Sequence, residues 1–162
     1  MTRSLMSDGD REEVAAFIEH HWHSRKVMSS GKAYYPHEER AIIERRDGVI
    51  VGLLTFRCEP DGMEILTLNS TLEGQRIGSS LMLDAIEIAR REGIERIWLT
   101  TTNDNTRALS FYQRLGFRLI EVRLGVVDEA RKVKPQIPEI GYLGVPIHDE
   151  WVIELHIKPY LN

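Results

Sequence analysis

The segment spanning residues 63–88 is the feature that most constrains how this chain can fold. A strand-like apolar pattern at residues 63–69 leads into a loop containing Gly74 and Gly78, and the loop opens a long amphipathic helix. Such a junction gathers free backbone N–H groups and the positive end of the helix dipole at one point, where a phosphate group binds well. An ordinary strand-to-helix connection has the same outline. The loop by itself therefore predicts either a phosphate site or a plain connection.

The spacing of these residues excludes two common phosphate-binding loops. No Gly-Lys-Ser or Gly-Lys-Thr follows the loop, so it is not a Walker A loop. The Gly-x-Gly-x-x-Gly spacing of a dinucleotide-binding turn is absent as well. Arg76, which stands between the two glycines, can add a charge-assisted contact to an anion.

The remaining patterns predict an α/β (α+β) fold with a mostly antiparallel sheet and a crossover in its second half. A first helix is expected at residues 10–22, with Asp10 and Glu13 as a capping box, and another at 104–115, ended by Gly116 with Phe117 packing back. Strands are expected at 41–46, 49–58, 63–69, 96–102, 117–126 and 151–157. The segments 24–40 and 128–149, which contain Gly and Pro, are expected to be loops.

Composition narrows the class of protein. The chain of 162 residues, with 42% hydrophobic and 28% charged residues, is expected to form a single domain over residues 1–162. A formal charge of −4 argues against nucleic-acid or membrane partners, and no segment approaches the ~20 apolar residues that span a bilayer. The single cysteine, Cys58, excludes an internal disulfide. We therefore expect a cytoplasmic protein.

A second informative segment runs from Asn105 to Phe117. It places a polar amide at a helix start, the aromatic residues Phe111 and Tyr112 further along, and a glycine followed by an aromatic residue at the exit. A tyrosine on a helix beside a cleft can donate a proton, although a tyrosine among apolar neighbours also serves packing alone.

Together the two segments resemble the GNAT superfamily of acetyl-CoA-dependent N-acetyltransferases over residues 41–126, with 151–157 as the final strand. The pattern Asn-x-x-Ala-x-x-Phe-Tyr-x-x-x-Gly-Phe is matched in full from Asn105 to Phe117. The Gln/Arg-x-x-Gly-x-Gly/Ala loop is matched in part. Gly78 is kept, whereas Glu73 replaces Gln or Arg and Arg76 replaces the first glycine. We expect Arg76 to adopt a backbone conformation that is open to residues other than glycine.

The resemblance implies a sheet of six to seven strands, flanked by helices and splayed between the family's fourth and fifth strands, here residues 63–69 and 96–102. Acetyl-CoA is implied as the co-substrate, with an amine as acceptor and direct transfer between them. Tyr112 is implied as the acid that protonates the departing thiolate, and Glu64 as the base that deprotonates the amine; packing and a solvated strand face are the respective alternatives. The residues implied in cofactor binding are Leu66, Thr67, Leu68, Arg76, Ile77, Gly78, Ser79, Ser80, Asn105 and Phe111.

Several alternatives stay open at this level. The protein can be a CoA- or acyl-CoA-binding module that transfers nothing, or an enzyme whose acceptor is a protein N-terminus or lysine. His20, His21 and His23 lack regular ligand spacing, so we expect no metal site. The segment 128–149 is either an acceptor-binding loop, with Tyr142, Asp149 and Glu150 as contacts, or a plain connection. A homodimer is common in the family, and its formation here is an expectation only.

Overall fold

The computed structural model describes residues 1–160. Its strands are β1 (Thr2–Leu5), β2 (Val27–Ser29), β3 (Lys32–Tyr34), β4 (Arg40–Arg46), β5 (Val49–Glu59), β6 (Gly62–Ser70), β7 (Arg96–Thr102), β8 (Arg118–Arg123) and β9 (Glu150–His156). Seven of them form one sheet in the order β1-β4-β5-β6-β7-β9-β8, and β2 pairs with β3 in a separate hairpin. All neighbouring strands of the sheet are antiparallel except β6 and β7, which are parallel.

Over residues 1–160, four α-helices accompany the sheet. They are α1 (Arg11–Trp22), α2 (Ile77–Arg91), α3 (Thr106–Arg114) and α4 (Val126–Val133). The helix α2 is the parallel crossover between β6 and β7, which places its N-terminus beside the end of β6. This mixed α/β architecture, with its mostly antiparallel sheet, confirms the predicted fold class.

Both faces of the sheet are buried against helices. Residues Leu54 and Phe56 of β5 lie in the cluster that packs on α2, whereas Leu53 lies in the cluster that packs on α1. Successive strand residues point to opposite faces, so an apolar run such as that of β5 supplies both clusters at once. Gly52 lets β5 and the first turn of α2 approach closely, since a Cβ atom there would lie 2.4 Å from Cγ2 of Ile77.

The strand β6 is irregular in its middle. Its register with β5 shifts between the pairs Thr55–Thr67 and Phe56–Ile65, which leaves Leu66 as an extra, bulged residue. On the other side, the parallel pairing with β7 ends at Ile65 and Leu99. Beyond this point, within the described chain, β6 and β7 have no further register pairs. The sheet is therefore splayed between the two strands, as the resemblance implies.

Several predicted boundaries are wrong in detail. Residues 126–133 form α4 instead of the end of a strand and the start of a loop. The predicted loop at 24–40 contains the β2–β3 hairpin, and the polar N-terminus contributes β1. The predicted capping box is absent from α1, because the carboxylate of Asp10 accepts from the backbone N–H of Ser7 at 2.9 Å. The predicted packing of Phe117 on the preceding helix is confirmed, with its ring 5.3 Å from that of Tyr112.

The outer strand β8 carries apolar side chains that are exposed. Leu119, Ile120 and Val122 are 38–49% exposed on this edge of the sheet.

Within residues 1–160, no helix combines the length and the apolar composition that crossing a membrane requires.

Candidate active site

The splay between β6 and β7 is the centre of the candidate site. Leu66 has no register partner on β5 or on β7 within the described sheet, because the bulge and the end of parallel pairing coincide there. A backbone N–H in this position can donate to a ligand, as can the N–H groups of the following residues. Beside the opening, Leu68 lies on the face of the sheet that packs on α2, and Glu64 lies on the face that packs on α1.

The N-terminus of α2 presents backbone donors on one side of this opening. Ser80 is the first helical residue whose N–H bonds a preceding carbonyl, that of Arg76, at 3.0 Å. The N–H groups of Ile77, Gly78 and Ser79 precede the helical ladder and are directed outward with the positive end of the dipole. Of the predicted pyrophosphate donors, Ser80 therefore retains only its hydroxyl group, because its amide is already used.

Arg76, which stands in the place of the first glycine of the family pattern, takes a backbone conformation typical of glycine. Arg76 is the N-cap of α2 and has φ of 56° and ψ of 26°, the left-handed conformation that favours glycine. Residues other than glycine adopt this conformation at a cost of roughly 1–2 kcal/mol, so the expected backbone open to other residues is met only with strain. The Arg76 side chain is exposed and accessible to an anion.

The helix α3 begins and packs as the motif predicts. Asn105 is its N-cap: the side-chain oxygen accepts from the N–H of Ala108 at 3.2 Å, and the amide nitrogen donates to Thr101 at 3.1 Å. These two bonds leave one amide hydrogen and one oxygen lone pair for a ligand. Phe111 lies next to the α2 N-terminus, with a ring atom 3.6 Å from the Cβ position of Gly78.

Tyr112 is buried between two aromatic rings. Its ring centroid lies 5.1 Å from that of Phe111 and 5.3 Å from that of Phe117, and only 7% of the residue is exposed. Burial raises the pKa of the Tyr112 phenol above its ordinary value. The hydroxyl group is therefore protonated at neutral pH, which is the form that can donate a proton.

Glu64 is a buried carboxylate on the opposite face of β6. It is 1% exposed, accepts a hydrogen bond from the Ser29 hydroxyl at 2.7 Å, and lies 3.7 Å from Arg57 on β5. Burial raises the pKa of Glu64, while the Ser29 hydrogen bond and the Arg57 charge oppose that rise. A carboxylate in this environment is a stronger base than one on a solvated strand face.

The β2–β3 hairpin covers this carboxylate and adds polar groups that the sequence did not single out. The Ser29 hydroxyl also lies 2.9 Å from that of Thr100 on β7. The N–H of Ser30 donates to Glu150 at 3.1 Å, and Glu150 lies 3.4 Å from Arg123. Burial raises the pKa of Glu150 as well. A signal for the hairpin was present in Ser30-Gly31, two residues that both have positive φ in its turn.

The predicted residues thus divide between the two faces of the splay. One group belongs to the apolar cluster that packs on α2 or contacts it, and consists of Leu68, Gly78, Phe111 and Tyr112. Thr67 lies on the other face, where its hydroxyl bonds that of Thr55 at 2.7 Å, and Glu64 shares that face.

The other sequence candidates have structural partners. The Asp149 carboxylate accepts from the N–H of Gly125, the N-cap of α4, and the Tyr142 N–H donates to Asp104. His20 and His21 contact each other edge to face with centroids 5.0 Å apart. In the described part of the chain, no group of three or more His, Cys, Asp or Glu side chains is arranged to hold a metal ion.

Comparisons with known proteins agree with this geometry. The sequence model of the Acetyltransferase (GNAT) family matches residues 7–117. The uncharacterized protein YxbD of Bacillus subtilis (strain 168) is 39% identical over 144 residues, which cover 88% of this chain and 91% of that protein.

Solved structures share the fold. An acetyltransferase of Bacillus subtilis in complex with CoA superposes with a TM-score of 0.67 at 18% identity, covering 96% of this chain and 98% of that one. The ribosomal-protein-S18-alanine N-acetyltransferase of Escherichia coli has a TM-score of 0.68 at 16% identity, with coverages of 99% and 96%. The family model matches more than half of the chain, and the solved acetyltransferases share its fold, so the chain belongs to the acetyltransferase (GNAT) family.

Proposed function

We propose that the protein transfers the acetyl group of acetyl-CoA directly to an amine. The observation that carries this proposal is the coincidence of the β6 bulge with the end of β6–β7 pairing. This coincidence leaves Leu66 without a register partner in the described sheet. Leu68, on one face of β6, lies 4.0 Å from the position of a Cβ at Gly78 of α2, and the buried Glu64 lies on the other face. Acetyl-CoA would lie in this opening.

In this proposal the chain holds the co-substrate mainly through backbone donors. The N–H groups of Ile77, Gly78 and Ser79, with the Ser80 hydroxyl and the Arg76 side chain, bind the pyrophosphate. Leu66, Thr67 and Leu68 offer backbone groups to the pantetheine arm, and Asn105 and Phe111 complete the wall. The Bacillus subtilis acetyltransferase in complex with CoA, which has the same fold, supports CoA as the ligand.

The reaction then needs one base and one acid. An alkylamine with a pKa near ~10 is mostly protonated at neutral pH and must lose a proton before it attacks a carbonyl. Glu64, whose pKa is raised by burial, accepts that proton, and the Tyr112 hydroxyl protonates the departing thiolate. A backbone N–H of Leu66 or Leu68 polarises the thioester carbonyl. Cys58 is exposed and needs no role in direct transfer.

The acceptor is a small-molecule amine or the amine of a peptide. The buried carboxylates Glu64 and Glu150 suit a cationic acceptor. The two acceptor classes are distinguished by comparing kcat/KM for a free amine with kcat/KM for a peptide that has the same terminal residue. The buried Glu64 carboxylate and the protonated Tyr112 phenol favour a transferase, because a CoA-binding module that transfers nothing needs neither a base nor an acid. A homodimer and a cytoplasmic location stay predictions.

The test is a calorimetric titration with acetyl-CoA of the wild type, Gly78→Glu and Gly78→Gln. A Cβ at Gly78 makes ordinary contacts, and an acidic residue in the first turn favours the helix, so both variants should fold. A carboxylate about 5 Å from the pyrophosphate costs roughly 1–3 kcal/mol, so Gly78→Glu should bind about tenfold or more weakly than Gly78→Gln. Absence of wild-type binding overturns the proposal, and binding without turnover on any amine favours the module.

A further inference from the structure

Glu64 is too deeply buried to contact an acceptor amine itself. Its residue exposure is 1%, and Ser29, which covers it, is 5% exposed. Thr100, in contrast, is half-buried and is the first residue of β7 after the last pair with β6, at the splay. The hydroxyl groups of Ser29 and Thr100 therefore offer a hydrogen-bonded path by which a proton can reach Glu64 from the opening.

The hydrogen-bond directions between these groups follow from their donor inventories. An ionised carboxylate only accepts, so the Ser29 hydroxyl donates its single hydrogen to Glu64, at 2.7 Å. The Thr100 hydroxyl, 2.9 Å from the Ser29 oxygen, must then donate its own hydrogen to Ser29. Both bonds point towards Glu64, and the Thr100 oxygen is left with acceptor capacity at the splay.

We propose, on the basis of the proposed acetyl transfer, that Thr100 and Ser29 relay the proton of the acceptor amine to Glu64. The ammonium N–H bond breaks as its proton moves to the Thr100 oxygen. The Thr100 hydrogen moves to Ser29, and the Ser29 hydrogen moves to Glu64. The amine becomes neutral, the two hydroxyl groups are restored, and the carboxylate becomes a carboxylic acid. Ser29 is a positioning residue, because it acts through Glu64.

The charged and titratable groups around Glu64 determine its pH response. Arg57 faces it from β5 at 3.7 Å, and the Arg57 guanidinium lies over the Tyr34 ring of β3 at 4.7 Å. Asp61 in the β5–β6 turn and Glu150 on β9 add negative charge. Removing the Ser29 hydroxyl takes away a hydrogen bond that lowers the pKa of Glu64. Removing the Thr100 hydroxyl leaves that bond in place.

The experiment follows thiol release from acetyl-CoA with ethylamine, and with water alone, across a range of pH. Ser29→Ala should lower the rate by about 10²-fold and move the acidic limb of the pH profile to higher pH. Thr100→Val should lower the plateau by about 10²-fold without moving the limb. Thr100→Ser should restore the rate. The control Thr55→Val removes a buried hydroxyl that bonds Thr67 and should leave the rate unchanged.

A second readout separates the relay from a loss of folding. In ¹³C-labelled protein, the Glu64 carboxyl group should titrate at higher pH in Ser29→Ala than in the wild type, and unchanged in Thr100→Val. If the wild type is active and Thr100→Val reacts at the same rate, the relay is wrong, whereas the proposed acetyl transfer stands. A wild type that binds acetyl-CoA but releases no thiol with ethylamine, or with any member of a panel of free amines and peptides, overturns the proposed transfer, and the relay with it.

Discussion

Replacing Gly52 with alanine should push the first turn of α2 away from β5 and so weaken both the fold and the binding of acetyl-CoA. An ideal Cβ at this position lies 2.4 Å from Cγ2 of Ile77 and 3.1 Å from Cδ1 of Leu81. Carbon atoms in contact prefer about 3.5–4.0 Å, so the Ile77 side chain has to move by about 1 Å. Ile77 is 2% exposed and Leu81 is fully buried, which leaves little space for that movement.

The expected cost is that of overpacking a buried contact, about 1–3 kcal/mol in the free energy of unfolding. Urea denaturation measures it as a lower midpoint with an unchanged m-value. Because Ile77 carries one of the N–H groups assigned to the pyrophosphate, acetyl-CoA affinity should also fall by about tenfold, which corresponds to about 1.4 kcal/mol. The control Gly9→Ala places its Cβ 3.8 Å from the nearest atom and should change stability by less than about 0.5 kcal/mol.

A second substitution tests the assigned contact directly. Ile77→Leu removes the Cγ2 branch that the new methyl group meets and should cost less than about 1.5 kcal/mol alone. In Gly52→Ala/Ile77→Leu, stability and affinity should partly return, with a coupling of about 0.5–3 kcal/mol. If Gly52→Ala is as stable as the wild type, or if the two costs simply add, then Gly52 does not set the position of α2.

Three further predictions concern the site. Tyr112→Phe should lower turnover by about 10²-fold across the pH range, since burial raises the pKa of the phenol and keeps it protonated; unchanged turnover in a steady-state assay removes the acid role. Glu64→Gln should remove the part of the pH–rate profile in which activity falls at acidic pH because Glu64 is protonated. The same substitution should raise the free energy of unfolding at neutral pH. Burial raises the pKa of Glu64 in the folded protein above its ordinary value. The wild type therefore loses stability as the pH rises from the ordinary pKa through the raised pKa. At a pH below both values, denaturation should give the two proteins the same free energy of unfolding. Arg76→Gly should stabilise the fold by about 0.5–1 kcal/mol, because relief of left-handed strain of roughly 1–2 kcal/mol exceeds the extra entropy of glycine; a lower urea midpoint contradicts this.

The elements with strong local patterns were predictable within a few residues. The strand β5 and the helices α1 and α3 follow from hydrophobic periodicity and from turn and cap residues such as Asp47-Gly48 and Asn105. The helix α4 was missed although Val127 and Ala130 recur at helical spacing, because the preceding apolar run suggested a strand that continued to residue 126. The bulge at Leu66 has no local signal, since it exists only in the register of β6 against β5.

The sequence by itself determined the family, the loop before α2 and the positions of Tyr112 and Glu64 on their elements, since those depend on residue types at fixed local spacing. Only the tertiary structure decided what surrounds them. Ser29 reaches Glu64 across 35 positions of the chain, and Ser30 reaches Glu150 across 120. Contacts at such separations depend on strand order and on the packing of a hairpin over a sheet, and no periodicity within one segment encodes either of them.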